Sequence, residues 1–289
     1  LPDENRMING FTDYEELTRT RRLIMRSYKL PGNRLRLLHT NKNRGAVTIN
    51  EERDYHFRYV LEDNFGNRRT YQFIVKGKRQ DIPEYKPEAN EMLYWNRTNV
   101  IQKPGMELVV PRYYVYEDVP LRTDMQGDSS LIAFDYILDA GRTPIHSYCD
   151  LSIGLRHMPV ADTTKYYIVQ KAGKWRSSMG GKYANGWIKT RVRSLGTFSV
   201  DVDTIAPQIT PIGQTGWRTS RNIRFRIKDM ESGIGSYKVY IDGKFVLFGL
   251  KKGILVIQDP EKVKKGVPHK LEVTVTDQCG NMARKEYKF

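Results

Sequence analysis

"TDQCGNMARKEYKF", residues 276–289, decides how this chain is read, because its opening returns elsewhere as "EDNFGNRRTYQF", residues 62–73. The shared core is Asp-x-x-Gly-Asn, carried by Asp277, Gly280 and Asn281 and again by Asp63, Gly66 and Asn67. Alternating segments flank both copies. Phe57, Tyr59 and Leu61 alternate with Arg58, Val60 and Glu62, and Tyr71, Phe73 and Val75 follow the turn; Leu271, Val273 and Val275 alternate with Glu272, Thr274 and Thr276. A period of two is that of a strand with one buried face. An Asp side chain can accept from the backbone two residues on, and Gly-Asn tolerates positive φ, so the five residues suit a tight strand reversal. The repeat predicts the closing hairpin of a β-sandwich module, present twice. A carboxylate or amide offered to a ligand or Ca²⁺ is the alternative use of the same residues.

The rest of the last third supports a sandwich. Short strands are expected at 223–227, 237–241, 244–248, 254–257, 271–275 and 287–289, joined by turns such as Ser232-Gly233 and Asp242-Gly243. Six or seven short strands in such a span are the profile of an immunoglobulin-like sandwich. "DVDTIAPQITPI", 201–212, follows the alternating Phe198, Val200 and Val202 and contains Pro207 and Pro211, so it reads as a last strand running into a semi-rigid linker. A second boundary falls in "KGKRQDIPEYKPEANE", 76–91. Three segments result: 1–80, 90–205 and 206–289. The middle one predicts strands near 107–118, 130–138, 144–155, 165–171, 186–193 and 196–202. The first opens with a capping box, Thr12 to Glu15, and predicts a helix over about 12–28, stopped by Pro31-Gly32. Only four strand candidates follow, near 34–39, 46–50, 55–62 and 69–75. This module is therefore expected to be a partial sandwich, with its missing strands ahead of Leu1. The fold class is all-β: tandem immunoglobulin-like sandwiches, the first incomplete and carrying one helix.

The chain has 289 residues, 39% hydrophobic and 11% aromatic, and a net charge of +15. The charge is uneven: 17 basic against 10 acidic residues over 1–80, 15 against 15 over 81–205, and 16 against 8 over 206–289. Arg224, Arg226 and Lys228 alternate with Ile223, Phe225 and Ile227, as on any solvated sheet face, and a polyanionic surface such as a cell envelope is the functional alternative. Without a recognition helix, an aromatic RNA-binding signature or zinc-finger spacing, nucleic acid is not the expected partner. No apolar run reaches the roughly 20 residues needed to span a bilayer. Cys149 and Cys279, the only cysteines, fall in different modules, which excludes a disulfide scaffold and a cysteine zinc site.

Catalytic constellations are missing from the sequence. The five histidines have no shared local face; "HSYCD", with His146 and Asp150, has a His-x-x-x-Asp spacing but lacks the third ligand that a zinc centre requires. There is no nucleophile elbow, phosphate loop or dinucleotide fingerprint. "MGGKYANGW", 179–187, is expected to form a hairpin, and Trp175, Tyr183 and Trp187 around it are the candidate ligand-binding residues, as a sugar-stacking platform. Cross-strand packing is the other use of such rings. No catalytic residue, metal ligand or cofactor is assigned to this chain.

The order "RMINGFTDYEELTRTRRLIMRSY", "PGNRLRLLHT", "TINEERDYHFRYVLEDNFGN", "GGKYANGW", "GTFSVDVDTIAPQI" and "DMESGIGSYKVYIDGKFV" resembles the region that follows the catalytic domain in secreted lysostaphin-like zinc metallopeptidases, a peptidoglycan endopeptidase family of Gram-negative envelopes. The resemblance runs along the whole chain. It implies a non-catalytic accessory region whose partners are the upstream catalytic domain of the same polypeptide and peptidoglycan or another anionic envelope polymer. The implied location is secreted, periplasmic or envelope-associated. The family's His-x-x-x-Asp and His-x-His ligands would lie upstream, so no catalytic residue carries over. A free-standing surface adhesion or carbohydrate-binding protein is the rival expectation.

Overall fold

The computed structural model describes residues 7–36, 38–83, 88–139 and 143–289. The chain is all-β, in antiparallel sheets, and divides into two compact units, Leu1–Glu88 and Ala89–Phe289. Residues 84–87 of the expected boundary at 76–91, and Leu37 in the expected strand at 34–39, lie outside the described residues.

In the first unit the helix is shorter than expected. It runs Tyr14–Thr20, and its N-cap is Asp13, whose side chain accepts from the Glu16 amide, one residue past the predicted Thr12. Arg21 ends it in the left-handed region at φ 63°, and the chain doubles back so that Thr12 pairs with Met25. Thr20 turns its hydroxyl onto the Glu16 carbonyl, a back-bond that weakens a helix end, and Ile24 and Tyr28, which the sequence pattern sets on one helical face with Tyr14 and Leu17, are exposed instead. Among the described residues, strands Asp54–Glu62 and Arg68–Lys76 form a two-stranded sheet, with Phe57 opposite Phe73 and Tyr59 opposite Tyr71. No strand forms among the described residues of 34–39 or at 46–50. Alternation supplies a face but not a partner, and a strand without a neighbour leaves its amides to water.

The second unit contains two sandwiches. In the first, one sheet has the order Trp175–Ser178, Tyr166–Ala172, Gly196–Val202, Asp135–Asp139, Val119–Gln126 and Glu91–Leu93. The other has the order Lys182–Ala184, Trp187–Val192, Cys149–Gly154, Met106–Val110 and Asn99–Lys103. Leu121, Leu138, Ile168 and Phe198 from one sheet close on Leu108, Leu151, Ile153 and Ile188 from the other, all fully buried.

The second sandwich has its own core. One sheet runs Gln208–Ile212, Arg224–Lys228, Ile254–Ile257 and Phe248–Lys251; the other runs Lys244–Phe245, Ile234–Ile241, Lys270–Asp277 and Met282–Lys288. Between them Trp217 is wholly buried, its ring edge-on to Phe225, Tyr287 and Phe289 and its Nε1 donating to the Ile212 carbonyl at 2.9 Å. Two expectations are corrected here. Much of the supposed linker is strand: Gln208–Ile212 pairs with Arg224–Lys228 despite Pro211, because it is an edge strand and proline's missing donor costs little there. The strand expected at 244–248 is split, Lys244–Phe245 joining one sheet and Phe248–Lys251 the other.

Candidate functional site

The two Asp-x-x-Gly-Asn turns have one internal geometry. Asp277 Oδ1 accepts from the amides of Cys279 and Asn281, both at 2.8 Å, while Oδ2 accepts from Asn281 Nδ2 at 2.7 Å. Asp63 does the same with the amides of Phe65 and Asn67 at 2.9 Å and with Asn67 Nδ2 at 2.8 Å. Gly66 and Gly280 sit at φ 84° and 81°, where a side chain would be strained.

Their surroundings differ, and that difference makes a site of only one of them. The first turn is solvated, with Phe65 91% exposed, and the hydrogen bond from the Asn67 side chain holds the Asp63 carboxyl below its ordinary value. The second turn is buried in the joint between the sandwiches. Asn281 Nδ2 also reaches the Asp203 carbonyl at 3.0 Å, and Asp203 Oδ2 accepts from the amide and hydroxyl of Ser232 at 3.0 and 2.5 Å. Lys165 Nζ donates to the Cys279 carbonyl at 3.0 Å, and Tyr167 donates to Glu231 at 3.3 Å. Cys279 itself packs against Tyr167 and Val169. Burial outweighs the hydrogen bonds from Asn281 and raises the Asp277 carboxyl above its ordinary value, with the nearby Asp203 charge adding to the effect.

Asp203, Asp229 and Asp277 each present a carboxylate oxygen, all within 4.8 Å of one another. Oxygen donors so spaced have the chemistry to take a divalent cation. Protein donors already serve them: Asp229 Oδ2 accepts from the amides of Glu231 and Gly233 at 3.2 and 2.7 Å, alongside the Ser232 and Asn281 bonds. The chemistry on view is that of a polar lock. From the sequence, Asp277 and Asn281 are turn residues with a ligand or Ca²⁺ as their alternative use, and Asp203 falls where strand gives way to linker; the joint itself has no local signature.

The three aromatic candidates are distributed over two sheets. Trp187 pairs with Gly154, and a methyl group at Gly154 would meet three of its ring atoms at 3.6 Å, so the indole lies over the glycine on the sheet's outer side. Tyr183 pairs with Ile188, whose side chain enters the core, and so stands on the opposite face from Trp187. Trp175 is on the edge strand of the other sheet, 80% exposed. His146 is buried, with Nδ1 2.9 Å from the Tyr116 hydroxyl, whereas Asp150 lies exposed on the strand Cys149–Gly154. Both thiols are buried, and burial pushes Cys149 up to about 12 and Cys279 up to about 11.

Residues 90–203 match the Zu5-like domain family. No curated protein matches the chain. Among solved structures, a Ca²⁺-stabilized adhesin with which an Antarctic bacterium binds ice is 11% identical, with 82% of this chain and 80% of that one covered and a TM-score of 0.21. The glycoside hydrolase domain of Endo-D from Streptococcus pneumoniae is 13% identical, with 62% and 38% covered and a TM-score of 0.21.

Proposed function

We propose that this chain is a non-catalytic accessory region of a lysostaphin-like cell-envelope peptidase, whose sandwiches position the enzyme or hold the wall polymer. The observation that carries this reading is the joint, in which Asn281, Asp203, Ser232 and Lys165 fasten one sandwich to the next, as a positioning strut requires. Both thiols and two of the five histidines are committed to the folded structure. The thiols are buried with raised pKa values, the opposite of a reactive cysteine, and His146 and His269 are tied into hydrogen bonds with Tyr116 and Asp242. The +15 charge favours an anionic wall. Sedimentation with purified peptidoglycan at low salt tests it: the chain is expected in the pellet, and recovery entirely in the supernatant overturns the wall-holding role.

A second reading, a surface adhesion or carbohydrate-binding protein, is favoured by Trp187 lying flat over Gly154. A glycan array separates the two. Binding to a defined neutral sugar that disappears with Trp187→Ala supports the second reading.

A further inference from the structure

The second sandwich of Ala89–Phe289 has two outer faces built on opposite electrostatic plans. On the sheet containing Lys270–Asp277, cations and acids are interspersed on the outer side, and Lys238 and Lys288 stand beyond the paired cluster. Lys270 pairs with Glu272 at 3.0 Å and Glu286 at 3.3 Å, and Arg284 pairs with both as well. On the sheet containing Arg224–Lys228, the outward positions in register are Gln208, Thr210 and Ile212, then Arg224, Arg226 and Lys228, then Ile254 and Val256, then Gly249 and Lys251. Four are cations and none is an acid. Among the described residues these four cations make no ion pair, and the Nε of Arg224 is buried without a hydrogen-bond partner.

Like charges in a row repel, and three successive outward positions of a strand are only about 6.7 Å apart. A sheet that needed charge only for solubility would intersperse the signs, as its sister sheet does. We infer that the outer face formed by Arg224, Arg226, Lys228 and Lys251 is a binding surface for a linear anionic polysaccharide, one carrying carboxylate or phosphate groups at regular intervals. The strand holds the cations in a straight ladder that meets charges repeated along a chain, and Arg226, Lys228 and Lys251 are exposed. Between the cations lie Ile212, Ile254 and Val256, which suit the aliphatic faces of sugar rings. Single-stranded nucleic acid is bound on sheets by aromatic side chains that stack the bases, and this face has none.

The inference rests on the envelope reading and gives it a surface. The test uses the full 289-residue chain with polygalacturonate, phosphomannan and neutral dextran as probes, read by affinity electrophoresis at low and high salt. R226E/K228E is compared with K238E/K288E, which makes the same change in net charge on the exposed outer positions of the sister sheet. Expected is salt-sensitive retardation by at least one anionic probe, none by dextran, and a loss of about tenfold or more in affinity for R226E/K228E alone. Equal loss in both variants, no loss in either, or tighter binding of a single-stranded oligonucleotide than of both anionic glycans overturns it. If R226E/K228E sediments with peptidoglycan as the natural chain does, this surface is excluded while the wall-holding role stands. If the natural chain stays in the supernatant, that role fails whatever the glycans show.

Discussion

Asn281 and Asn67 are the same residue in the same turn, and their substitution should have unequal consequences. Asn281→Ala strips donors from two buried carboxylates and from the Asp203 carbonyl, at a cost of about 3 kcal/mol in urea unfolding. Asn67→Ala, whose partner is solvated, should leave the midpoint unchanged within error. His269 is a second residue whose role came from the fold. Its ring sits between Asp242 at 2.6 Å and the Lys264 carbonyl at 2.7 Å, so both nitrogens face acceptors. Burial and the nearby Arg218 work against its charge, but those two acceptors outweigh them and hold the pKa above the ordinary 6.5. A raised folded pKa stabilises fully below the unfolded value and loses that contribution as pH climbs through the folded one. The thermal midpoint of the unit Ala89–Phe289 should therefore be level below about pH 6.5 and fall above it, and His269→Gln should flatten that slope.

At the level of the strand, Gly235 and Gly280 separate two uses of glycine. Gly235 lies at a register shift between Ile234–Ile241 and Lys270–Asp277, and a methyl group there would come within 2.5 Å of the Asp277 carbonyl oxygen. Gly280 has open space but φ 81°. Gly235→Ala should cost about 3 kcal/mol, since backbone must move to relieve the clash, and Gly280→Ala about 1 kcal/mol from backbone strain alone. Chemical denaturation of both variants ranks them; the reverse order would show that the bulge yields. The hairpin Asp54–Lys76 shows the limit of strand-level reading. Its alternation set Phe57, Tyr59, Tyr71 and Phe73 on one face, and in the fold Phe57 stacks on Phe73 at 5.1 Å and Tyr59 on Phe73 at 5.9 Å. The weaker alternation at 46–50 produced no strand, because pairing depends on a neighbour that local sequence does not specify.

For the unit Ala89–Phe289 as a whole, the joint predicts cooperativity. Each sandwich holds a separate core, so they share a transition only through contacts such as Lys165 to Cys279 and Asn281 to Asp203. Calorimetry of K165A/N281A should resolve two transitions for this unit where the natural chain gives one. Persistence of one transition would show that the covalent link and remaining contacts suffice. In the K165A/N281A background, Trp217→Ala should lower only the later sandwich's transition, by about 4 kcal/mol, through the cavity left among Phe225, Tyr287 and Phe289.

The strand Tyr166–Ala172 shows where sequence and tertiary structure divide the work. Period-two alternation, turn chemistry at Asp-x-x-Gly-Asn and the apolar inward rows are local properties, so they determined the all-β class, most strands and both hairpins. Tyr166, Tyr167, Ile168 and Val169 are nonetheless buried in succession, because the Cys279 turn of the next sandwich covers the strand's outer side. Contacts between residues distant in the chain, such as Lys165 with Cys279 and Asn281 with Asp203, decided that covering, the lock at Asp203 and the separation of Trp175, Tyr183 and Trp187. No local pattern encodes them, because each depends on which surfaces the folded sheets bring face to face.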